Sequence, residues 1–559
     1  MERDGESDSE AYGTVRRRTG RDDTGEDSDT DVDVPETAAL MTGKDSSTGM
    51  TRAKCYAGYV LALLLIAYLL NQLDRYALAI VTQPMAQDIH YGDQSCLYSD
   101  TVPDPDKAEV KCIDILDEES CESRTIDNGT ITPCKWDYNG NGFQYQILVG
   151  PVFILIYTFM GIPLSYAADK TNRKNLLAIC LIFWSVMTLL TGFAKEYWHL
   201  VILRFGLGIG QAGCTPFAAS LITDYFSESS RGTALGFYNW GIYLGYSMAY
   251  AIGNFITQAN INDQGWRWVF WICGIPGIVH GILIFLSLKE PERKQSFKDP
   301  QDSKVDDYTA LTLWQKTKVL AKPFISPSLL MICFAGSIRN GAGYVWGYNT
   351  QPYFNTYYPA VNVGKWMSWI PLVSGSIGVV FGGFISDRVV KRSGPVARIW
   401  VIVISLLTAA PFAALTLLLK PPWAFVCQIP TYIFGEMWVS VTLAVIVELV
   451  PSSIKTSVIA VYFFIITNIG GNMPLLVSVI ADITSLRISL LILYPGMYVA
   501  GALLYVLSLF VLKRDIRKLQ ENESSGKDPL LEDDSTEAIN DTDRQKTYGA
   551  LDNEQSTAK

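Results

Sequence analysis

Apolar residues recur along this chain in long runs, not in short periodic clusters, and the runs have the length of a bilayer crossing. Twelve can be placed, at 55–86, 143–168, 175–194, 198–224, 232–258, 266–288, 326–351, 364–386, 397–419, 423–449, 455–481 and 486–512. A run of roughly 18–25 apolar residues crosses a hydrocarbon core ~30 Å thick. The first run follows a long polar segment and exceeds a secretory h-region, so it reads as an anchor and not as a cleaved signal. The pattern predicts an all-α polytopic membrane protein with 12 transmembrane helices.

A short polar motif occurs twice, 218 residues apart, each time where an apolar run ends. The first copy runs from Ser165 through Asp169, Lys170, Arg173 and Lys174; the second runs from Gly383 through Asp387, Arg388, Lys391 and Arg392. A small residue lets two helices approach, and the cations hold a short loop on the cytoplasmic side. Asp169, Lys170, Arg173, Asp387, Arg388 and Arg392 are therefore expected to gate conformational change. The duplication extends inward. Gly210-Gln211 aligns with Gly435-Glu436 and Gly245 with Gly470, each at an offset of 225. Two six-helix pseudo-symmetric halves packed around a central site follow.

The expected organisation is an N-tail at 1–54, a first half at 55–288, a linker at 289–325 with a surface helix near Leu311–Leu320, a second half at 326–512, and a C-tail at 513–559. The tails are rich in Asp, Glu, Ser and Thr and read as disordered. The net charge of −10 is carried by the tails and by loop 87–142, whereas the loops holding Lys170, Arg388 and Lys513 are basic. With an even number of spans both termini face the cytoplasm. Nothing in this balance suggests nucleic-acid binding.

Loop 87–142 holds Cys96, Cys112, Cys121 and Cys134, four of the ten cysteines. In an oxidising compartment these make two disulfides, with three pairings open; a bland insertion with free thiols is the alternative. Asn128 opens a glycosylation sequon in the same loop, while the tail sequons at Asn522 and Asn540 would never meet the glycosylation machinery.

An ionisable group inside a span costs several kcal/mol unless paired or hydrated, so each is a functional candidate. Asn71, Asp74 and Arg75 stand in the first span. Asp74 and Arg75 lie about 100° apart on a helix, so one can pair with a neighbour while the other points into a cavity. Arg204 in the fourth span is a natural partner for Asp74. That carboxylate could carry a coupling proton or form a structural ion pair. Arg339 precedes a Gly/aromatic stretch with Tyr344 and Trp346, expected to form a cavity wall. It could neutralise an anionic substrate or pair with Glu436, and Glu436 could itself be the coupling acid. His280 reads as a packed residue, with proton relay as the alternative. Asp482 and Arg487 mark span ends. No Walker A motif, metal-ligand spacing or catalytic triad is present, so the expectation is a non-enzyme without cofactor or metal.

The duplicated loop, Arg204 through Gly213, and Asp224 through Gly232 resemble the major facilitator superfamily (MFS). Leu70 through Tyr76, and Gly265-Trp266-Arg267-Trp268 through Pro276-Gly277 and Lys289-Glu290-Pro291, resemble its spinster-like transporters. The resemblance implies the MFS fold, alternating access, and a substrate between the halves. It implies a lysophospholipid or sphingolipid substrate, protons as a possible coupling ion, and a lysosomal setting, with Asp74, Arg75 and Arg204 lining the cavity. The family has Gly-Glu-Ala where this chain has Gly210-Gln211-Ala212, so Gln211 cannot titrate there and Asp74 or Glu436 would carry coupling, or transport is uncoupled. The large loop is a second departure, a luminal lid or a protease shield.

Glu36, Leu40 and Met41 fit an acidic di-leucine-type signal, and Tyr12 and Tyr548 with Leu551 fit tyrosine-type signals, so adaptor proteins and an endosome or lysosome membrane are expected, with the plasma membrane as alternative. The readings that compete are a transporter of a lysolipid or other amphipathic solute, a transporter of small organic anions such as sugar acids, and a non-transporting receptor using the four-cysteine loop. A monomer in contact with membrane lipids is expected. Glycosidase treatment should remove one glycan, and Asn128→Gln should abolish that mobility shift; a glycan on Asn522 or Asn540 would overturn the assigned topology.

Overall fold

The structure is a computed structural model that describes residues 42–99, 111–123, 133–291, 322–394, 396–450 and 455–524. Residues 1–56 and 57–559 form two compact units, and the architecture below is that of the second. Asn128, the surface-helix expectation at 311–320 and the sorting residues Tyr12, Glu36, Leu40, Met41, Tyr548 and Leu551 lie outside the described residues.

The first half contains α1 (Thr42–Ile80), α2 (Thr82–Ile89), α3 (Glu118–Glu122), α4 (Phe143–Val149), α5 (Pro151–Lys170), α6 (Arg173–Thr191), α7 (Tyr197–Gln211), α8 (Cys214–Tyr225), α9 (Glu228–Asn239), α10 (Gly241–Ala259) and α11 (Gly265–Ser287). The second contains α12 (Pro327–Tyr357), α13 (Gly364–Met367), α14 (Ser376–Ser393), α15 (Ala397–Leu418), α16 (Trp423–Glu436), α17 (Trp438–Glu448), α18 (Lys455–Gly471), α19 (Leu475–Ala481) and α20 (Leu486–Ser524). Ten helical stretches among the described residues are long and apolar enough to cross a membrane. The fifth and seventh spans read from the sequence, now α9–α10 and α12, are helical but fall outside these ten. Their polar and aromatic residues line the contact between the halves, so they need not match hydrocarbon.

Three boundaries differ from the sequence reading. The first span is not one helix to residue 86: α1 stops at Ile80 and α2 restarts at Thr82. Pro84 has no N–H to offer the Ile80 carbonyl, so the ladder breaks there. The tails are not wholly irregular either. Helix α1 begins at Thr42, and α20 runs to Ser524, because Arg514-Asp515-Ile516-Arg517-Lys518-Leu519-Gln520 are all compatible with helix. The chain is also not purely α. In the four-cysteine loop β1 (Gln94–Tyr98) pairs antiparallel with β2 (Cys134–Tyr138). Disulfides join Cys96 to Cys121 and Cys112 to Cys134 beside this ribbon.

Each half repeats the same packing. Helix α6 packs on α11, and α15 on α20. Gly245 brings α10 onto α1, where a Cβ would lie 2.7 Å from the Gln72 Cβ. Gly470 brings α18 onto α12, where a Cβ would lie 2.8 Å from the Gly341 nitrogen and 2.9 Å from the Ser337 carbonyl. Small residues at these crossings replace the hydrophobic drive that lipid removes.

The halves meet on the ribbon side. Gln146 Nε2 donates to Asn349 Oδ1 at 2.7 Å, Asn254 Nδ2 to Gln351 Oε1 at 3.1 Å, and Asn141 Nδ2 to Thr356 Oγ1 at 3.3 Å. Deeper in, Thr158 donates to Asn468 at 2.8 Å and Trp240 Nε1 to Ser376 Oγ at 2.7 Å. Gly236 and Gly232 stand one and two turns from Trp240 on its own helical face, and nothing among the described residues lies within 4 Å of where their side chains would be. The cleft between the halves therefore widens away from the ribbon. Gly245→Leu and Gly470→Leu should each lower the thermal midpoint in detergent, by the ~1–3 kcal/mol typical of overpacking. Gly236→Leu should not lower it, and equal melting of all three would refute the packing assigned to the two repeats.

Candidate functional site

Helices α1 and α7 set the charged centre of the first half. Asn71, Asp74, Arg75, Arg204 and Gln211 are all buried, none more than 5% exposed. Arg75 Nε donates to Gln211 Oε1 at 3.4 Å, and Gln211 Nε2 donates to the Asn71 carbonyl at 3.0 Å. The Arg75 guanidinium stands over the rings of Tyr157 (4.6 Å) and Phe153 (5.0 Å). Each such contact is worth about 0.5–2 kcal/mol. Arg204 Nη2 donates to the Arg75 carbonyl at 3.1 Å, and its guanidinium lies 5.7 Å from the same Phe153 ring. Arg75 Nη2 and Arg204 Nε have no hydrogen-bond acceptor among the described residues.

The expected Asp74–Arg204 ion pair is not formed: no Asp74 salt bridge occurs within 4.0 Å among the described residues, and both its oxygens lack a hydrogen bond. The adjacent positions on α1 diverge. Arg75 faces α5 and α7, while Asp74 faces a small void lined by Thr188, Thr191, Arg204, Leu207 and Phe270. The carboxylate thus stands away from the cleft, near α6 and α11.

In the second half Arg339 on α12 pairs with Glu436 on α16, Nη2 to Oε1 at 2.9 Å, and also donates to the Gly435 carbonyl. Its guanidinium stacks over Trp438 at 4.8 Å and Tyr498 at 5.4 Å. Tyr243, from α10 of the other half, donates to Glu436 Oε2 at 3.4 Å. The two halves therefore repeat an arginine on the first helix of each half against residue 211 or 436. The second-half cation meets a carboxylate, and the first-half cation meets an amide.

Between these centres lies a tyrosine cluster. Tyr76 meets Tyr246 (4.6 Å) and Tyr348 (5.2 Å), Tyr246 meets Tyr250 (5.2 Å), and Tyr344 stacks on Tyr348 (5.9 Å). Sequence reasoning placed Tyr344 and Tyr348 in the expected cavity-wall stretch but missed Tyr243, Tyr246 and Tyr250. The i, i+3, i+7 spacing of the three on α10 was the available signal. Trp346 is not a cavity wall. It turns into the second half and stacks on Tyr494 at 4.8 Å, because positions 344 and 348 share the face that 346 leaves. His280 is packed, its Nε2 2.9 Å from the Leu63 carbonyl.

At the far ends of the halves Arg173 bridges Asp224 (2.7 Å) and Glu290 (2.8 Å), and Arg398 bridges Asp387 and Glu448 (2.9 Å each). Arg173 and Arg398 keep the 225-residue offset, so Arg398, not the motif's Lys391, repeats Arg173. The loop motif, matched at 218, falls seven residues short of that register. Arg388 lies over Phe384 and Lys170 over Tyr166, both at the surface, and Arg392 is exposed. Asp169 falls in the last turn of α5. Arg487 stacks on Tyr357 at 4.2 Å, and Asp482 caps α19.

A model of the Major Facilitator Superfamily matches residues 64–473. Protein spinster homolog 1 of Xenopus tropicalis is 28% identical over 451 residues, 73% of this chain and 81% of the relative. The sphingosine-1-phosphate transporter SPNS2 of Danio rerio is 27% identical over 280 residues, 48% of this chain and 54% of the relative. The crystal structure of a bacterial homolog to the human lysosomal transporter spinster, inward-facing and unoccupied, superposes with a TM-score of 0.60 at 22% identity, covering 84% of this chain and 98% of that one. With the match extending over more than half its length and two repeated helical halves facing a cleft, this chain belongs to the Major Facilitator Superfamily, as a spinster-like multi-pass membrane transporter.

Proposed function

We propose that this transporter moves a single-chain lipid with an anionic head, a lysophospholipid or phosphorylated sphingoid base, by alternating access between its two halves. The observation that carries this reading is Arg75. It is buried, it meets Gln211 where its counterpart Arg339 meets Glu436, and its Nη2 has no acceptor among the described residues. A buried cation without a counterion costs several kcal/mol. A phosphate with two or more free oxygens supplies what Arg75 and Arg204 lack. The surrounding aromatic residues suit one acyl chain. The name of the zebrafish relative, a sphingosine-1-phosphate transporter, supports the same class.

Asp74 is the residue to carry a coupling proton. It forms no salt bridge among the described residues, and it shares a void with Arg204, so its charge state is felt at the substrate site. Protons, an endosomal or lysosomal membrane, cytoplasmic termini read by adaptors, and a luminal glycosylated ribbon complete the reading. Ion pairs Arg173–Asp224–Glu290 and Asp387–Arg398–Glu448 keep each half rigid at its cytoplasmic end as it rocks.

Flux into proteoliposomes tests this. Lysophosphatidate should be carried faster than small carboxylates such as sugar acids, and Arg75→Ala should lower its kcat/KM at least about tenfold, the equivalent of one charge-assisted bond. Preferred uptake of small carboxylates would transfer the site to organic anions, and absence of any flux would favour the receptor reading. Asp74→Asn should abolish proton-driven accumulation while leaving exchange; unchanged accumulation would remove Asp74 from coupling.

Gln211→Glu gives a second test with a definite sign. The introduced carboxylate, when ionised, would pair with Arg75 as Glu436 pairs with Arg339 and compete with the substrate anion. The KM for lysophosphatidate should rise about tenfold at neutral pH and return toward the wild-type value as acidification neutralises the new carboxyl. A variant whose KM ignores both the substitution and pH would refute the anion site at Arg75.

A further inference from the structure

We infer that Tyr348 is the residue through which an anionic head at Arg75 reaches the gate on the ribbon side; the inference rests on the anion-site reading above. Tyr348 belongs to α12, in the second half, and is 1% exposed. Its hydroxyl has no hydrogen-bond partner among the described residues. It lies within electrostatic reach of the guanidinium groups of both Arg75 and Arg204, across the boundary between the halves. The ring is held by Tyr76 at 5.2 Å and Tyr344 at 5.9 Å, so the hydroxyl has little freedom to find another partner. A buried hydroxyl left unpaired costs about 1–3 kcal/mol. Arg75 Nη2, Arg204 Nε and this hydroxyl are three buried donors without an acceptor among the described residues, and a phosphate is the kind of group that would satisfy them.

The other end of the same residue is engaged at the gate. In a helix the Tyr348 carbonyl would accept from the N–H of residue 352, but residue 352 is proline and has none. The orphaned carbonyl is taken instead by the Tyr145 hydroxyl, donated from α4 of the first half. The next residue, Asn349, is held by Gln146 of the same helix at 2.7 Å. Pro352 thus does two things at once: it frees a carbonyl for a contact across the halves, and it leaves α12 without a ladder bond where the helix must bend. An anion drawing the Tyr348 hydroxyl toward Arg75 moves the backbone that Tyr145 grips. Tyr348 in this scheme touches the head and transmits its arrival to the gate, while the arginines supply the charge that holds it.

The test separates binding from gating. Thr350, on α12 beside the gate and fully buried, is replaced by cysteine as a reporter in the full-length protein. Its labelling by a membrane-impermeant maleimide from the ribbon side is followed in sealed proteoliposomes, with the reporter-free protein as background. Lysophosphatidate should raise the rate several-fold in the otherwise unaltered protein. Tyr348→Phe should still bind lysophosphatidate, with Kd raised no more than about tenfold, yet show no ligand-induced rise. Arg75→Ala should show neither binding nor response. Tyr145→Phe should label fast without ligand. A wild-type response in Tyr348→Phe would overturn the inference. If that variant does not assemble, wild-type labelling of Tyr145→Phe would overturn it and ligand-independent labelling would support it. Normal binding by Arg75→Ala, with the response still lost in Tyr348→Phe, would defeat the anion site and leave the transmitter role of Tyr348 intact.

Discussion

A guanidinium held in a dry helical interface without a carboxylate is the constraint on which the rest of the first half depends. Arg75 is kept there by a set of weak, neutral contacts: one amide oxygen from Gln211 and two aromatic faces from Tyr157 and Phe153. None of these cancels a charge. They make the cation tolerable without making it satisfied, and they fix where it points. Gln211 matters twice, since its amide nitrogen also ties α7 to the Asn71 carbonyl of α1. A carboxylate could make the first contact but not the second, because only the amide offers a donor.

The contrast with the second half shows how the molecule divides its polar interactions. Charge–charge contacts lie within a half: Arg339 with Glu436, Arg173 with Asp224 and Glu290, Arg398 with Asp387 and Glu448. Contacts between the halves are mostly neutral, amide to amide at Gln146–Asn349 and Asn254–Gln351 and hydroxyl to carbonyl at Tyr145–Tyr348, while Tyr243 donates across to the Glu436 carboxylate without forming an ion pair. Breaking a largely buried pair such as Arg339–Glu436 or Arg173–Asp224 costs several kcal/mol, the more exposed Arg398–Asp387 pair contributes little, and a neutral hydrogen bond contributes about 0.5–1.5 kcal/mol net. Strong contacts keep each six-helix body rigid, and weak ones let the bodies part.

The spans, their pairing into halves and the buried charges were legible from hydrophobic length, the 225-residue offset and the rarity of ions in hydrocarbon. What escaped was set by direction. The sequence places Asp74 beside Arg75 and opposite Arg204 in type, but the partner of each depends on which neighbour its face meets. The structure sends Asp74 toward Thr188 and Phe270, away from the cleft. The position of Arg398 was hidden because a loop motif was matched by residue type at an offset of 218, while the helices that carry the pairing repeat at 225. The break after Ile80 was readable from Pro84 alone, yet a run of apolar residues through it disguised the interruption. The ribbon required the fold, since no spacing chooses among three disulfide pairings.

The energies of gate and site are matched in scale. The four neutral hydrogen bonds Gln146–Asn349, Asn254–Gln351, Asn141–Thr356 and Tyr145–Tyr348 across the halves on the ribbon side sum to about 4 kcal/mol at ~1 kcal/mol each. A ligand can shift a conformational equilibrium only by the difference in its affinity for the two states. Shifting a closed gate to an evenly balanced one then needs a differential of about that same 4 kcal/mol, a factor of roughly 900 in affinity. One charged head engaging two arginines and a tyrosine hydroxyl lies in that range, because hydrogen bonds to charged groups contribute about 1.5–3 kcal/mol each. A second carboxylate at position 211 would satisfy Arg75 in both states and remove the differential. On the proposed anion-site reading, the uncharged amide at Gln211 leaves the substrate's charge as the missing counterion and gives that charge leverage over the gate.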